Sequence, residues 1–312
     1  MTDVFALTTR PAEALFFRKG DPNDPRLGEL VSRDPADFTR SRVVIVGCPQ
    51  DLGVARNGGR VGASEAPAEI RRMFYRLTPL GLGLPPGQVF DLGDLIVPET
   101  LEACAARQRE LVAALVRGGR RVIVLGGGND IAWPDAAGLA DVLPDPTAIN
   151  IDAHFDVRAD QPMNSGTPYR QLIASGAVRG SALYELGYQP QVNAAGYLAW
   201  LTQQSAHAID LEAWRAGGLL ATFERVLAHP ARAVFVGFDM DAVRGADAPG
   251  VSAVNPLGLT ADEFVALWSR VGAEPRARVV DLSEVNPRHD VDGRTARLAA
   301  VSLHAFLRAF RD

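Results

Sequence analysis

Short runs of β-branched and aliphatic residues alternate along the chain with longer stretches whose apolar positions recur every three or four residues. The strand-like runs are Val43–Gly47, Arg121–Leu125, Ala148–Asp152, Ala182–Leu186, Ala206–Asp210, Ala233–Phe238 and Arg278–Leu282, with Val89–Leu92 a weaker eighth. Several are apolar at nearly every position, as strands covered on both faces are. Ser64 is placed to cap a helix running through Leu77, with Pro67 tolerated in its first turn. Thr100 caps Leu101–Arg117, which Gly118 and Gly119 end. Thr260 and Glu263 form a capping box that opens Ala261–Val271. Arg294–Phe310 carries its apolar residues on one side. Strands alternating with helices predict an α/β fold in one domain: three layers, α/β/α, around a mostly parallel sheet of roughly eight strands. Residues 1–42, broken by Pro11, Pro22, Pro25 and Pro35, are expected to be irregular, leaving 43–312 as the α/β domain.

Composition narrows the function. The chain has 312 residues, 47% of them hydrophobic and 22% charged, which is globular and large enough for a sizeable core. Its 32 Lys and Arg against 37 Asp and Glu give a net charge of −5, so no nucleic-acid partner is expected. No apolar run is long enough to span a bilayer, so no membrane role is expected either. The first ten residues lack a basic, apolar, small-residue export pattern, and Cys48 and Cys104 form neither a CxxC pair nor a disulfide framework. A cytoplasmic location follows as the expectation.

In a sheet of this kind ligands bind beyond the carboxyl ends of the strands. Leu125 is followed by Gly126, Gly127, Gly128, Asn129 and Asp130. Ile151 is followed by Asp152, Ala153, His154, Phe155 and Asp156, Phe238 by Asp239, Met240 and Asp241, and Leu282 by Ser283, Glu284, Val285 and Asn286. Residues i and i+2 of an extended segment point the same way, so Asp152 faces with His154 and Asp239 with Asp241. Each feature has an ordinary explanation when taken singly. A DxD after a strand often caps a helix, a strand-end histidine is usually hydrogen-bonded, and the triple glycine lacks the Lys-Ser/Thr of a phosphate loop. Their conjunction at separate strand ends points instead to divalent cations, because clustered carboxylates in a partly dry cleft need a counter-charge. Oxygen donors with one imidazole suit Mn2+ better than a thiolate-preferring metal and leave Zn2+, Ni2+ and Fe2+ as alternatives, and shared carboxylates would hold two ions about 3.5–4 Å apart around an activated water.

Longer motifs carry a family likeness. They are Gly47-Cys-Pro-Gln-Asp-Leu-Gly53, Arg56-Asn-Gly-Gly-Arg-Val-Gly-Ala-Ser64, Ile149-Asn-Ile-Asp-Ala-His-Phe-Asp-Val-Arg158, and Phe238-Asp-Met-Asp241 with Ala248-Pro-Gly-Val-Ser-Ala253. In these the chain, from about Val43 onward, resembles the ureohydrolase superfamily of arginases, agmatinases and formimidoylglutamases, which hydrolyse an amidine or guanidinium C–N bond at a binuclear manganese centre. Phe155 and Arg158, the segment Asn164-Ser-Gly-Thr-Pro-Tyr169, and Val285-Asn-Pro287 followed by Asp290-Val-Asp-Gly-Arg-Thr-Ala-Arg297 are similar to the formimidoylglutamase branch.

The resemblance implies two Mn2+ ions. Asp152, His154, Asp239 and Asp241 would serve one ion, with Asp152 and Asp239 bridging to the other and Asp156 completing that second set. The family's remaining ligand is the histidine of a GGGH motif, and here Asn129 stands in its place, followed by Asp130. An amide oxygen is a weaker donor than neutral imidazole, so the second ion is expected to be weakly held or missing. Asp130, one residue on, would point elsewhere. The resemblance also gives Asp156 and Glu284 catalytic roles, Asp156 moving the proton of the attacking water and Glu284 pairing with the cationic amidine. Arg158, Asn164, Ser165 and Glu284 would bind substrate, Arg158 facing a carboxylate. The reaction implied is conversion of N-formimidoyl-L-glutamate to L-glutamate and formamide, a step of histidine degradation. Alternatives are an agmatinase-like or guanidino-acid hydrolase releasing urea, and a catalytically silent protein on the same fold. The family's habit implies a homo-oligomer.

Overall fold

Alternate residues of the central strands feed two separate cores. Ile45, Ile123, Ile149, Val236 and Val280 pack with Ile70, Phe264, Trp268, Leu303 and Phe306 on one side of the sheet. Val44, Val46, Val122, Val124, Phe235 and Val279 pack with Leu111, Leu115, Ala136 and Leu172 on the other. This is the period-two alternation of a pleated strand buried on both faces, and it builds the three-layer sandwich. The structure is a computed structural model, and it describes residues 2–83, 85 and 87–311.

Among these residues the strands are β1 (Thr8–Thr9), β2 (Val43–Gly47), β3 (Val89–Leu95), β4 (Arg121–Leu125), β5 (Thr147–Ile151), β6 (Leu183–Tyr188), β7 (His207–Asp210), β8 (Val234–Asp239) and β9 (Ala277–Ser283). They form one nine-stranded sheet in the order β1-β3-β2-β4-β9-β8-β5-β6-β7. The described pairings are parallel except β1 with β3. The ninth strand is β1, whose Thr8 and Thr9 lie opposite Leu95 and Asp94. Two residues are too few to show a periodicity, which is why the sequence reading passes over them. β3 runs three residues beyond the expected Leu92 because Gly93 and Asp94 keep pairing with Val46 and Gly47 of β2, and its polar Asp91 is fully buried. Arg71 donates to that carboxylate from Nε at 2.8 Å and from a terminal nitrogen at 3.0 Å.

The helices over Leu101–Arg117, Ala261–Gly272 and Arg294–Ala309 fall within a residue of their expected ends. Thr100 Oγ1 accepts from Ala103 N, and Thr260 and Glu263 exchange both bonds of the capping box. The helix expected from Ser64 to Leu77 is shorter, Ala66–Phe74. Ser64 does not cap it; the Ser64 hydroxyl and amide both turn back to the Asp51 carboxylate, and residues 63–65 form a tighter turn.

The chain order places the site. After building one half of the sheet with β2, β3 and β4, the chain crosses to β5, β6 and β7, then returns to fill the middle with β8 and β9. The neighbours β4, β9, β8 and β5 therefore end side by side, with Leu125 opposite Leu282, Asp239 opposite Ser283 and Phe238 opposite Ile151.

Candidate metal centre

At that junction the carboxyl ends of the four central strands bring their side chains onto one rim. Asp152, Asp239, Asp241, Glu284 and Asn129 are each at most 5% exposed. Two overlapping sets of ligand atoms form there: Asp152, His154 and Asp241, and Asp152, Asp156 and Asp239, each within 4.8 Å of one another. Asp152 belongs to both.

Local backbone chemistry aims these groups. Asp152 Oδ1 accepts from His154 N at 2.7 Å, and Asp239 Oδ1 accepts from Asp241 N at 2.8 Å, so each DxH or DxD folds onto its own first carboxylate. Asp156 and Glu284 adopt left-handed backbone conformations, with φ of 47° and 62°. Non-glycine residues sit there at a cost of order 1–3 kcal/mol, which persists where the surroundings dictate it. The glycines before Asn129 are there for close approach rather than for a phosphate. A Cβ on Gly127 would lie 1.5 Å from the carbonyl oxygen of Gln50. The Gly127 oxygen accepts from Glu284 N at 2.8 Å, which ties the turn to the end of β9.

Electrostatics follow from burial. Burial, with the charges of Asp241 and Asp156, pushes the Asp152 carboxyl well above the usual range. Burial and the neighbouring Asp241 and Asp152 do the same to Asp239. Burial raises Asp156 to about 6, held back by His154 and by the Asn129 amide. The adjacent Asp241 carboxylate raises His154 against the effect of burial, with His154 Nδ1 3.1 Å from Asp241 and 3.4 Å from Asp152. Burial pushes Glu284 well up. Among the described residues no Arg or Lys forms an ion pair with these aspartates, and the buried atoms Asp241 Oδ1 and Glu284 Oε2 have no hydrogen-bond partner. Unpaired carboxylate oxygens converging with one imidazole fit hard divalent cations such as Mn2+.

Asn129 enters this cluster through its nitrogen. Its Nδ2 donates to Asp156 at 2.7 Å and to Asp152 at 3.3 Å, while its Oδ1 accepts from Ser283 Oγ at 3.0 Å. Its backbone amide donates to Glu284 Oε1 at 3.0 Å. Asp130 lies outside the cluster, accepting from Gln50 Nε2 at 2.7 Å, and burial raises it to about 7.

Above the cluster a cavity of about 250 Å³ is lined by His154, Asp156, Asp239, Asp241 and Glu284 on its floor, and by Arg158, Ser165, Asn57, Arg60 and Ser252 among its walls. Asn164 is not a lining residue; its Oδ1 accepts from Gly166 N and its Nδ2 donates to Asp160, so it shapes the loop that presents Ser165. His289, adjacent in sequence to this rim, is exposed and is not a lining residue. Two depressions of about 460 Å³ lie elsewhere, one along β7 and one by the N-terminal segment, and neither borders the metal-ligating sets.

The sequence model of the arginase family matches residues 41–307. The chain belongs to the arginase family. It is 36% identical over 280 residues to the formimidoylglutamase of Paraburkholderia xenovorans, covering 82% of this chain and 84% of that one. With the formimidoylglutamase of Geobacillus thermodenitrificans it shares 37% identity over 275 residues, 85% and 84% of the two chains. The crystal structure of Trypanosoma cruzi formiminoglutamase with Mn2+ aligns with a TM-score of 0.85 and 31% identity, covering 92% and 98%. Within this arginase-family chain, the wall residues Asn57, Arg60 and Ser252 received no role from sequence reasoning. Their motifs were legible, but nothing in a linear pattern says that residues 57 and 158 meet.

Proposed function

We propose that this arginase-family chain is a manganese-dependent hydrolase of N-formimidoyl-L-glutamate, releasing L-glutamate and formamide. The observation that carries this reading is one cavity lined by groups of opposite chemistry: the carboxylates of Asp156, Asp239, Asp241 and Glu284, and the Arg158 guanidinium with the Ser165 hydroxyl. A substrate with a cationic amidine at one end and carboxylates at the other matches both. Relatives named formimidoylglutamase support the choice of substrate.

Asp152, His154, Asp239, Asp241 and Asp156 would hold two Mn2+ ions, with Asn129 beside the second. When bound, such cations lower the pKa of water from 15.7 toward about 7 and so supply a nucleophile at neutral pH. Glu284, whose Oε2 has no partner, pairs with the amidinium and turns its carbon toward the floor. Asp156, a lining residue of the same cavity, accepts a proton from the attacking water and returns it to the departing nitrogen. The water oxygen becomes the formamide oxygen, the bond from the formimidoyl carbon to the glutamate nitrogen breaks, and that nitrogen leaves protonated. Arg158 and Ser165 hold a carboxylate during these steps.

Product analysis of Mn2+-loaded protein tests this. Formimidoylglutamate is expected to yield equal amounts of glutamate and formamide, with agmatine and guanidino acids turned over at least 100-fold more slowly. Urea from a guanidino compound as the better reaction would overturn the substrate assignment. Inertness toward both classes after loading would support the silent reading.

A further inference from the structure

The cavity wall contains a hydrogen-bond hub that neither the metal chemistry nor the family likeness assigns. Asn57 Oδ1 accepts from the Arg158 guanidinium at 2.8 Å, and Asn57 Nδ2 donates to Ser165 Oγ at 3.1 Å. Arg158 is a donor only, so it fixes the orientation of the Asn57 amide, with oxygen toward the guanidinium and nitrogen toward the serine. Ser165 Oγ, already accepting from that nitrogen, keeps its own proton free to donate. One amide thus sets both neighbours as donors facing the same cavity.

The surrounding backbone is arranged to hold this unit. Asn57 closes the short helix Leu52–Arg56, its N–H bonded to Gly53 O at 3.0 Å. Ser165 N donates to the same Gly53 carbonyl at 3.2 Å, so the two loops share one anchor. Arg158 N donates to Gly166 O at 2.8 Å, and its side chain crosses Gly166 so closely that a Cβ there would lie 2.9 Å from Arg158 Cδ.

The geometry assigns Asn57 as a positioning residue for substrate carboxylate recognition. It locks Arg158 and Ser165 into a donor-only pair that accepts an anionic group and rejects an uncharged end. This rests on the proposed reading that the substrate is an amidine bearing carboxylates. Among the described residues Asn57 forms no hydrogen bond to a metal-ligating side chain and acts through its two partners, so its effect falls on binding.

The test compares two substrates, formimidoylglutamate and a simple N-alkylformamidine without carboxylates, in Mn2+-loaded wild type, Asn57→Ala and Asn57→Asp, with Tm as a folding control. Asn57→Ala is expected to raise KM for formimidoylglutamate about tenfold, the worth of a charge-assisted contact, with kcat within twofold and the alkylformamidine unaffected. Asn57→Asp is expected to raise KM further. The introduced carboxylate accepts from both neighbours, turns the Ser165 proton away from the cavity and neutralises the guanidinium. Wild type that prefers formimidoylglutamate, and an Asn57→Ala variant that keeps the same KM or loses both substrates equally, would overturn this inference alone. Wild type without preference for the carboxylate-bearing substrate would overturn the functional reading and this inference with it.

Discussion

Exchanging Asp241 for asparagine is expected to lower turnover about 10³-fold, the scale on which chemistry that depends on a positioned, activated water fails. The same substitution is expected to raise the Tm of chelator-treated protein by about 2–4 °C, a stabilisation of roughly 1 kcal/mol for a chain of this size. The opposite signs come from one cause. Asp241 Oδ1 is buried without a partner, and Asp241 stands among carboxylates that carry no Arg or Lys counter-charge in the described residues. Removing its charge relieves that crowding. The remaining amide oxygen can still accept from His154 Nδ1, which lies 3.1 Å from Asp241. What the metal-stripped fold gains, the loaded enzyme loses in ligand strength. Steady-state kinetics and calorimetry on the same preparations check both arms. Near-wild-type turnover together with a lower Tm would show that Asp241 is a structural carboxylate.

Asn129→His is expected to tighten binding of a second Mn2+ by at least the 10–100-fold that a single outer-shell partner is worth at metal sites. The Asn129 nitrogen already lies 2.7 Å from Asp156 and 3.3 Å from Asp152, so a ring nitrogen would enter beside the second set of ligands. An amide donating to those carboxylates stabilises them as a weak substitute for a cation, whereas neutral imidazole adds a lone pair to the set. Titration calorimetry with Mn2+ reads the change directly. An unchanged stoichiometry and affinity would remove Asn129 from the neighbourhood of the second ion.

The strands and the order of the ligating motifs were legible in the sequence because both are local. β2 and β4 agree with their runs residue for residue, since strands buried on both faces read as near-continuous apolar segments, with only Arg121 at the start of β4 polar. β3 outruns its apolar pattern because Gly93 and Asp94 read as a turn until Arg71 is seen donating to the Gly93 oxygen and the Asp94 carboxylate. The helix after Ser64 starts later than its pattern because the serine hydroxyl bonds to Asp51 rather than to the helix amides. At the site, DxH and DxD declared themselves through the strand period. The orientation of the Asn129 amide did not, since it depends on Ser283 and Asp156 from other strands. The Asn57 hub was equally silent, because its partners lie about a hundred residues away and its chemistry is that of a single polar side chain on a short helix.

Equilibrium binding of Mn2+ to the wild-type chain, read as bound metal per chain alongside formamide release, tests the central claim most directly. Stripped protein is expected to be inactive, to take up one Mn2+ tightly and a second more weakly, and to regain turnover as the metal returns. Full activity after exhaustive chelation, or no Mn2+ uptake by a folded chain, would contradict the assignment of these converging carboxylates as a metal centre.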